Sequence, residues 1–286
     1  MPPFARILSL LLILPVAAGV SACDNSISPL ADDAERIFAI HGYLDSEADT
    51  HYVRVSALRE TVLAEDPPLE GVVVQSREAA SEDVVGWSLV PEDPGGGVPG
   101  RLFAGAFDPR SGAEYVLEVL RDGEVLASAT TVVPDDPILV PGPPGGDSLQ
   151  YRQAVVIDGI NEKPLTLKMR YEVFAPDADS AETVLLDYDQ AGELAGTGWQ
   201  FHVFLRQDQV SLRRRLGVPD EGPALGLRRI GAVFTIPSAE FDNPDEPTNL
   251  ENAHGFFGSI GRHELSWTLT PEAVAFIGYV DKQIPP

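Results

Sequence analysis

The stretch Glu114-Tyr115-Val116-Leu117-Glu118-Val119-Leu120-Arg121-Asp122-Gly123-Glu124-Val125-Leu126-Ala127-Ser128-Ala129-Thr130-Thr131-Val132-Val133 decides the fold. Two apolar runs flank an Asp-Gly pair, and both residues tolerate the positive φ that a two-residue hairpin turn demands. The turn sets Arg121 opposite Glu124 as an opposite-charge pair. Upstream, residues 37–44 form an apolar opening strand. Residues 52–57 alternate, with Val53, Val55 and Ala57 on one face, and residues 71–75 are a short β-branched run. Short strands at this density, with no helical period, predict an immunoglobulin-like β-sandwich over residues 36–134. The Gly- and Pro-rich residues 92–100 read as a flexible insertion between two of its strands.

Downstream, Pro134-Asp135-Asp136-Pro137 and Pro141-Gly142-Pro143-Pro144-Gly145-Gly146-Asp147 bracket three apolar residues. That density of Pro and Gly predicts a linker over 135–148 with no packed element. Residues 149–286 read as a second β-rich domain. Residues 165–174 alternate, placing Leu165, Leu167, Met169, Tyr171 and Val173 toward a core and Thr166, Lys168, Arg170 and Glu172 toward water. Residues 199–206 form a second such strand with Phe201, Val203 and Leu205 inward, and residues 229–236 and 264–269 add two more. One short helix is predicted over 207–216. Another begins at Thr270-Pro271-Glu272, a good cap followed by a proline suited to the first helical position, and runs to about residue 279. The fold class is therefore mainly β, a sandwich followed by a β-rich domain with one or two short helices.

Composition narrows function. Asp and Glu number 44 against 20 Lys and Arg, for a formal charge of −24. That balance disfavours DNA, RNA and anionic membrane surfaces as partners. The hydrophobic content of 44% is enough for ordinary cores.

Residues 1–22 hold one positive charge, Arg6, then an apolar run to Val20, then Ser21-Ala22. A positive start, an apolar centre and a small-residue exit describe a secretory signal peptide. The run is broken by Pro15 and is shorter than the about 20 apolar residues that span a bilayer. Cys23 follows at once and is the only cysteine, so no internal disulfide can form. Val20-Ser21-Ala22-Cys23 resembles the lipobox of bacterial lipoproteins. It implies a lipidated Cys23, carrying acyl chains such as palmitate, and a polar tether over 23–35.

Motifs for catalysis are few. No phosphate-binding Gly-rich loop with its lysine and no His-Glu-x-x-His helix is present. Ser259 sits among glycines, but Phe257 stands two residues before it where a nucleophile elbow needs glycine; the segment reads as a bend in a strand. His41, His51, His202, His254 and His263 show no zinc-ligand spacing, although a hairpin around Gly258 brings His254 toward His263. The acidic runs 177–182 and 242–246 place oxygen ligands close together, a weak case for calcium, and neither fits an EF-hand. No catalytic or metal-binding residue is assigned. Arg213, Arg214 and Arg215, with Arg228 and Arg229, make a basic cluster in an acidic chain, a candidate for anion binding or for pairing with nearby carboxylates.

Cys23 with its tether, the strand Tyr52-Val53-Arg54-Val55-Ser56, the Gly112–Leu117 segment with its Asp122-Gly123 hairpin, and the tail around Gly255-Phe256-Phe257-Gly258 resemble the domain-of-unknown-function 4249 family of Bacteroidetes-type envelope lipoproteins. In the tail, Ala253-His254 stands where that pattern has glycines. The resemblance implies no catalytic residues. It implies an accessory role at the outer membrane, linked to nutrient-uptake machinery. The expectation is a lipid-anchored, non-enzymatic binding module with an outer-membrane transporter or a glycan as partner. The contrasting expectation is an anchored hydrolase acting on glycans through scattered carboxylates. Exposed aromatics such as Trp87 or Trp199 on a shallow surface favour the first; a cleft holding two carboxylates favours the second.

Overall fold

The structure, a computed structural model, describes residues 37–58, 69–81, 83–91, 98–146, 151–160, 162–188, 192–241 and 249–283. The signal segment, Cys23 and its tether, residues 92–97 of the insertion and the acidic run 242–246 lie outside the described residues.

Seven strands build the first region: β1 (Phe38–Asp45), β2 (Thr50–Ala57), β3 (Val72–Glu78), β4 (Val84–Leu89), β5 (Arg101–Ala106), β6 (Glu114–Arg121) and β7 (Glu124–Val132). The strands run in the order β1-β2-β5-β4-β3-β6-β7, with β5 pairing β4 at Ala104–Ser88 and Phe103–Leu89, so the β1-β2-β5 and β3-β6-β7 sides of the sandwich are joined at one edge. Alternation sets the core, with Ile40, Leu44, Val53, Val55, Val74, Leu117 and Val119 wholly buried between the layers. The hairpin forms as its sequence demands. Asp122 and Gly123 take φ of 53° and 86°, and Arg121 pairs with Glu124. Tyr115, at the start of the sixth strand, accepts a hydrogen bond from the Arg110 backbone N–H at 3.0 Å. The bond has the geometry of a tyrosine corner, a tyrosine at the start of a strand tied to backbone a few residues upstream.

The second region holds β8 (Ile138–Pro141), β9 (Gln153–Asp158), β10 (Thr166–Phe174), β11 (Glu182–Asp187), β12 (Glu193–Ala195), β13 (Gly198–Val203), α1 (Leu205–Arg215) and β14 (Leu225–Pro237). After a 3-10 turn (Ala239–Phe241) come β15 (Leu250–Glu251), β16 (Ala253–Trp267), α2 (Pro271–Phe276) and β17 (Tyr279–Asp281). A small sheet, β12-β13-β9-β8, contributes Val155, Ile157, Phe201 and Val203 to a second core. Facing it, β11-β10-β14-β16 contributes Leu167, Met169, Val173, Ile230 and Phe234. Leu205 and Leu212 close α1 onto that core. The Thr270 hydroxyl caps α2 by accepting from the Ala273 N–H at 3.2 Å, with Pro271 in the first turn.

The two cores share one strand. Residues 253–260 of β16 pair parallel with β1, and residues 260–267 pair antiparallel with β14. Ala253 and Phe257 therefore belong to the first core, although they lie in the segment assigned from sequence to the second. β15 likewise adds to the edge of β7. A separate 149–286 domain thus gives up its late strand to the sandwich.

Four local expectations change. The Pro/Gly-rich linker contains β8, which pairs with β9 at the edge of the small sheet, the position where a strand tolerates flanking proline. Leu165 lies before β10 and is exposed. Glu172, expected in water, is buried because Arg170, Arg228 and Arg229 surround its carboxylate. The second helix ends at Phe276, and Tyr279 turns into β17.

Candidate binding face

Strand period alone puts every second residue of β1 and β2 on the outer face of the first sheet. Phe38, Ile40 and Leu44 point inward, so His41 and Tyr43 point outward. Tyr43 lies directly opposite Tyr52 of β2, and the two side chains are 46% and 52% exposed. On the other flank of β1, His41 pairs with Phe256 and Tyr43 with Gly258 of β16. Phe256 stacks edge-on against Phe241 of the 3-10 turn, with centroids 4.7 Å apart at 78°. Both rings lie over Gly258, where an added Cβ would come within 2.7 Å of Phe256 Cζ and 2.9 Å of Phe241 Cε2. Glycine at 258 is therefore what lets the rings lie down on the sheet. The result is an aromatic ribbon, Phe241–Phe256–Tyr43–Tyr52, ending at Ala104 of β5, which pairs with Tyr52.

The flanks of the ribbon are polar. Arg54 lies opposite His41. Asp45, at the end of β1, is held by Arg262, whose Nε donates to its Oδ2 at 2.8 Å, and its Oδ1 accepts from the Glu47 N–H at 3.2 Å. Tyrosine gives such a surface an apolar body and a hydroxyl tip, the combination found where a protein meets a wet partner.

Trp87 and Trp199, named from sequence as candidate surface aromatics, are both buried. Trp87 donates to the Ser76 hydroxyl at 2.9 Å inside the sandwich. The aromatics that do face water were missed, although their position in the alternation was a usable signal: Tyr52 shares parity with Arg54 and Ser56.

The arginines do not make one cluster. Arg213 is buried and donates to the carbonyls of Pro219 at 2.9 Å and Pro223 at 2.8 Å, tying the loop after α1. Arg214 is exposed, and Arg215 donates to the Leu185 carbonyl at 2.5 Å. All three stand in the last turn of α1, where cations offset the helix dipole. Arg228 and Arg229 instead approach the Glu172 carboxylate at 3.6 and 3.7 Å.

The hydroxyl of Ser259 is fully buried and donates to the Val132 carbonyl at 2.8 Å. It joins a polar seam at the strand crossing, where the Ser238 oxygen accepts from the Ser259 N–H at 2.9 Å and Thr131 donates to Glu240 at 3.1 Å. His254 and His263 sit nine residues apart on the continuous strand β16, about 30 Å of rise, so the expected hairpin approach does not occur. Among the described residues no group of three or more His, Cys, Asp or Glu side chains gathers to hold a metal.

A cleft of about 200 Å³ opens beside the crossing, lined by Pro134, Asp135, Ile160, Glu162, Pro237 and Ser238. It brings two carboxylates to one mouth but falls below the roughly 300 Å³ from which small-molecule pockets begin. A second polar group lies within the second core. Asp208 of α1 accepts from Tyr171 at 2.5 Å and from Tyr188 at 2.7 Å, and burial pushes its carboxyl up to about 6. Tyr188 in turn accepts from the Phe204 N–H at 3.1 Å, so the group anchors the start of α1 to the sheet.

No family model matches the chain, and no curated protein matches it.

Proposed function

We propose that the chain is a lipid-anchored protein of the bacterial outer membrane. It acts as a non-enzymatic binding module that serves nutrient uptake and holds its partner on the aromatic ribbon of the first sheet. The observation that carries this reading is the cross-strand pair Tyr43–Tyr52, half exposed on the outer face of the sheet and registered beside Gly258, over which Phe241 and Phe256 stack. A row of aromatic rings left in water is costly for a monomer and common where a surface is used. In the sequence, residues 23–35 immediately precede the segment that contains β1, the strand that carries Tyr43.

Two experiments test it. Cys23→Ser should move the protein from the membrane fraction to the soluble fraction; a variant that stays membrane-bound removes the anchor from the proposal. Pull-downs from detergent-solubilised membranes should recover a transporter or an envelope component with the wild type and not with Tyr43→Ala/Tyr52→Ala. Equal recovery with both would show that the ribbon is not the binding face.

A further inference from the structure

We propose that the outer face of β10 and β14 binds a phosphate group through Arg170, Arg228 and Arg229, at a site apart from the aromatic ribbon. A β-bulge builds the site. Neighbouring residues of a regular strand point to opposite faces, so Arg228 and Arg229 should diverge. Between Glu172 and Val173 the pairing of β10 with β14 slips by one residue. Glu172 lies opposite Arg229 and Val173 opposite Leu227, which leaves Arg228 as the extra residue. Bulges re-aim side chains in this way. Arg228 Nε stands 3.6 Å from Glu172 Oε2, and Arg229 Nη1 stands 3.7 Å from Oε1. Arg170, two residues before Glu172 on β10, reaches Oε1 at 3.1 Å. Three guanidinium groups from two strands thus surround one carboxylate. The Glu172 side chain is 11% exposed, whereas those of Arg228 and Arg229 are 42% and 34% exposed. The carboxylate is covered, and both arginines reach solvent.

Phosphate is selected by the hydrogen bonding that Glu172 leaves unmet. Separations of 3.6 and 3.7 Å are too long for hydrogen bonds. The Nε atoms of Arg228 and Arg229 are both buried, and neither has a hydrogen-bond partner among the described residues. Buried donors are nearly always partnered, so two orphans in one site point to a group that the chain does not supply. A carboxylate is already in place and does not satisfy them, because its two oxygens lie in one plane and three guanidinium groups share them. A tetrahedral oxyanion presents more oxygens in more directions, which suits several guanidinium groups at once. Charge agrees with this choice. Lys168, Arg170, Arg228, Arg229 and Lys282 gather around the outer face against Asp187, Glu172 and Glu264. Lys168 is paired with Asp187, Arg170 also reaches Glu264, and Lys282 lies over the Phe174 ring. Two further carboxylates, Glu182 and Asp281, sit in register with Val173 and Leu227, which are buried on the opposite face.

The test is calorimetric titration of the full chain, purified in detergent, with inorganic phosphate and with glycerol 3-phosphate, and with acetate as the planar comparator. A phosphate probe should bind saturably, and acetate at least about tenfold more weakly. Binding of inorganic phosphate supports the proposal with the free ion as ligand. Binding of glycerol 3-phosphate alone supports it with a phosphate ester as ligand. Removing the arginines leaves Glu172 buried and unpaired, which can unfold a variant for reasons unrelated to the ligand. The arginines are therefore removed in a Glu172→Gln background, with melting curves to show that each variant folds. Glu172→Gln alone should bind phosphate at least as tightly as the wild type, since a competing carboxylate is gone. Adding Arg228→Gln/Arg229→Gln should lower that affinity by at least about tenfold. Arg229→Lys keeps the charge without the planar fork and should fall between the two. No saturable binding of either phosphate probe overturns the proposal, as does acetate bound as tightly as phosphate. Phosphate binding that the glutamine pair does not weaken overturns it as well.

Discussion

The two cores of this molecule are built alike from alternating strands, yet they handle buried polarity in opposite ways. The sandwich holds one buried imidazole, His51, whose Nδ1 accepts from the Asp45 N–H at 3.3 Å and whose Nε2 donates to the Phe107 carbonyl at 2.9 Å. That arrangement uses the neutral tautomer, and burial pulls the His51 pKa below its ordinary value. The second core holds a buried carboxyl, Asp208, with two tyrosines donating to it, and burial pushes it up to about 6. Acid therefore works against one region and for the other. β16, common to both, ties them into one unit. A domain boundary drawn from Pro and Gly density marks a change in chain character, and β16, which lies beyond it, serves both cores.

The strongest way to break the comparison is to damage the shared strand. Phe257 is fully buried in the first core, and Phe257→Ala should cost about 3–5 kcal/mol. Hydrogen exchange should then accelerate in β10 and β14 as well as in β1 and β2. Protection lost only around the first core would mean that β16 does not couple the two. Next in size is Asp208. Its native pKa lies above the ordinary 3.8, so the native state binds a proton that the unfolded state has released. Its contribution is complete below about 4 and is lost as pH rises through about 6, a fall of roughly 2–3 kcal/mol by neutrality. Denaturant unfolding at pH 4 to 7 should show that slope in the wild type and lose it in Asp208→Asn. A slope that survives the substitution would place its origin elsewhere.

His51 sharpens the same experiment from the other side. Its depressed pKa means that its contribution is present above the ordinary value of 6.5 and is lost as pH falls through the lower native value. His51→Gln should therefore make the wild type's gain on acidification steeper, since the opposing titration is gone; an unchanged profile would show that His51 does not oppose Asp208. A smaller effect, about 1 kcal/mol, is expected from Tyr115→Phe, which removes the hydrogen bond from Arg110 and leaves the ring in place. Exchange should rise first near Arg110. A loss above 3 kcal/mol would mean that the corner organises the sandwich more widely. Thr270→Ala should cost a similar or slightly smaller amount through the lost cap of α2. That change should appear in the second core alone.

Legibility followed the range of the interaction. The Asp122-Gly123 hairpin, the buried faces of β2 and β10 and the cap of α2 were readable because each depends on residues a few positions apart. The edge strand β8 was hidden because its pairing partner lies in β9, and proline density masked the only local signal. Glu172 looked like a surface residue because its arginine partners Arg228 and Arg229 arrive from β14. The aromatic ribbon was hidden for the same reason. Phe241, Phe256, Tyr43 and Tyr52 are scattered through the chain and become a row only when β16 docks parallel to β1. The arginines misled in the opposite sense, since closeness in sequence did not bring Arg213 to the carboxylate that Arg228 and Arg229 share.

By itself the sequence determined a mainly β chain, the strands that alternate and the turns that need positive φ, because backbone sterics and a two-residue period act within a strand. Tertiary structure alone decided that β16 is divided between two cores, that Trp87 and Trp199 go inside while Tyr43 and Tyr52 stay out, and that Asp208 loses its water. Those outcomes are set by which strand lies beside which, and pairing between distant strands is paid for by burying apolar surface along whole faces, a sum that no short window of residues contains.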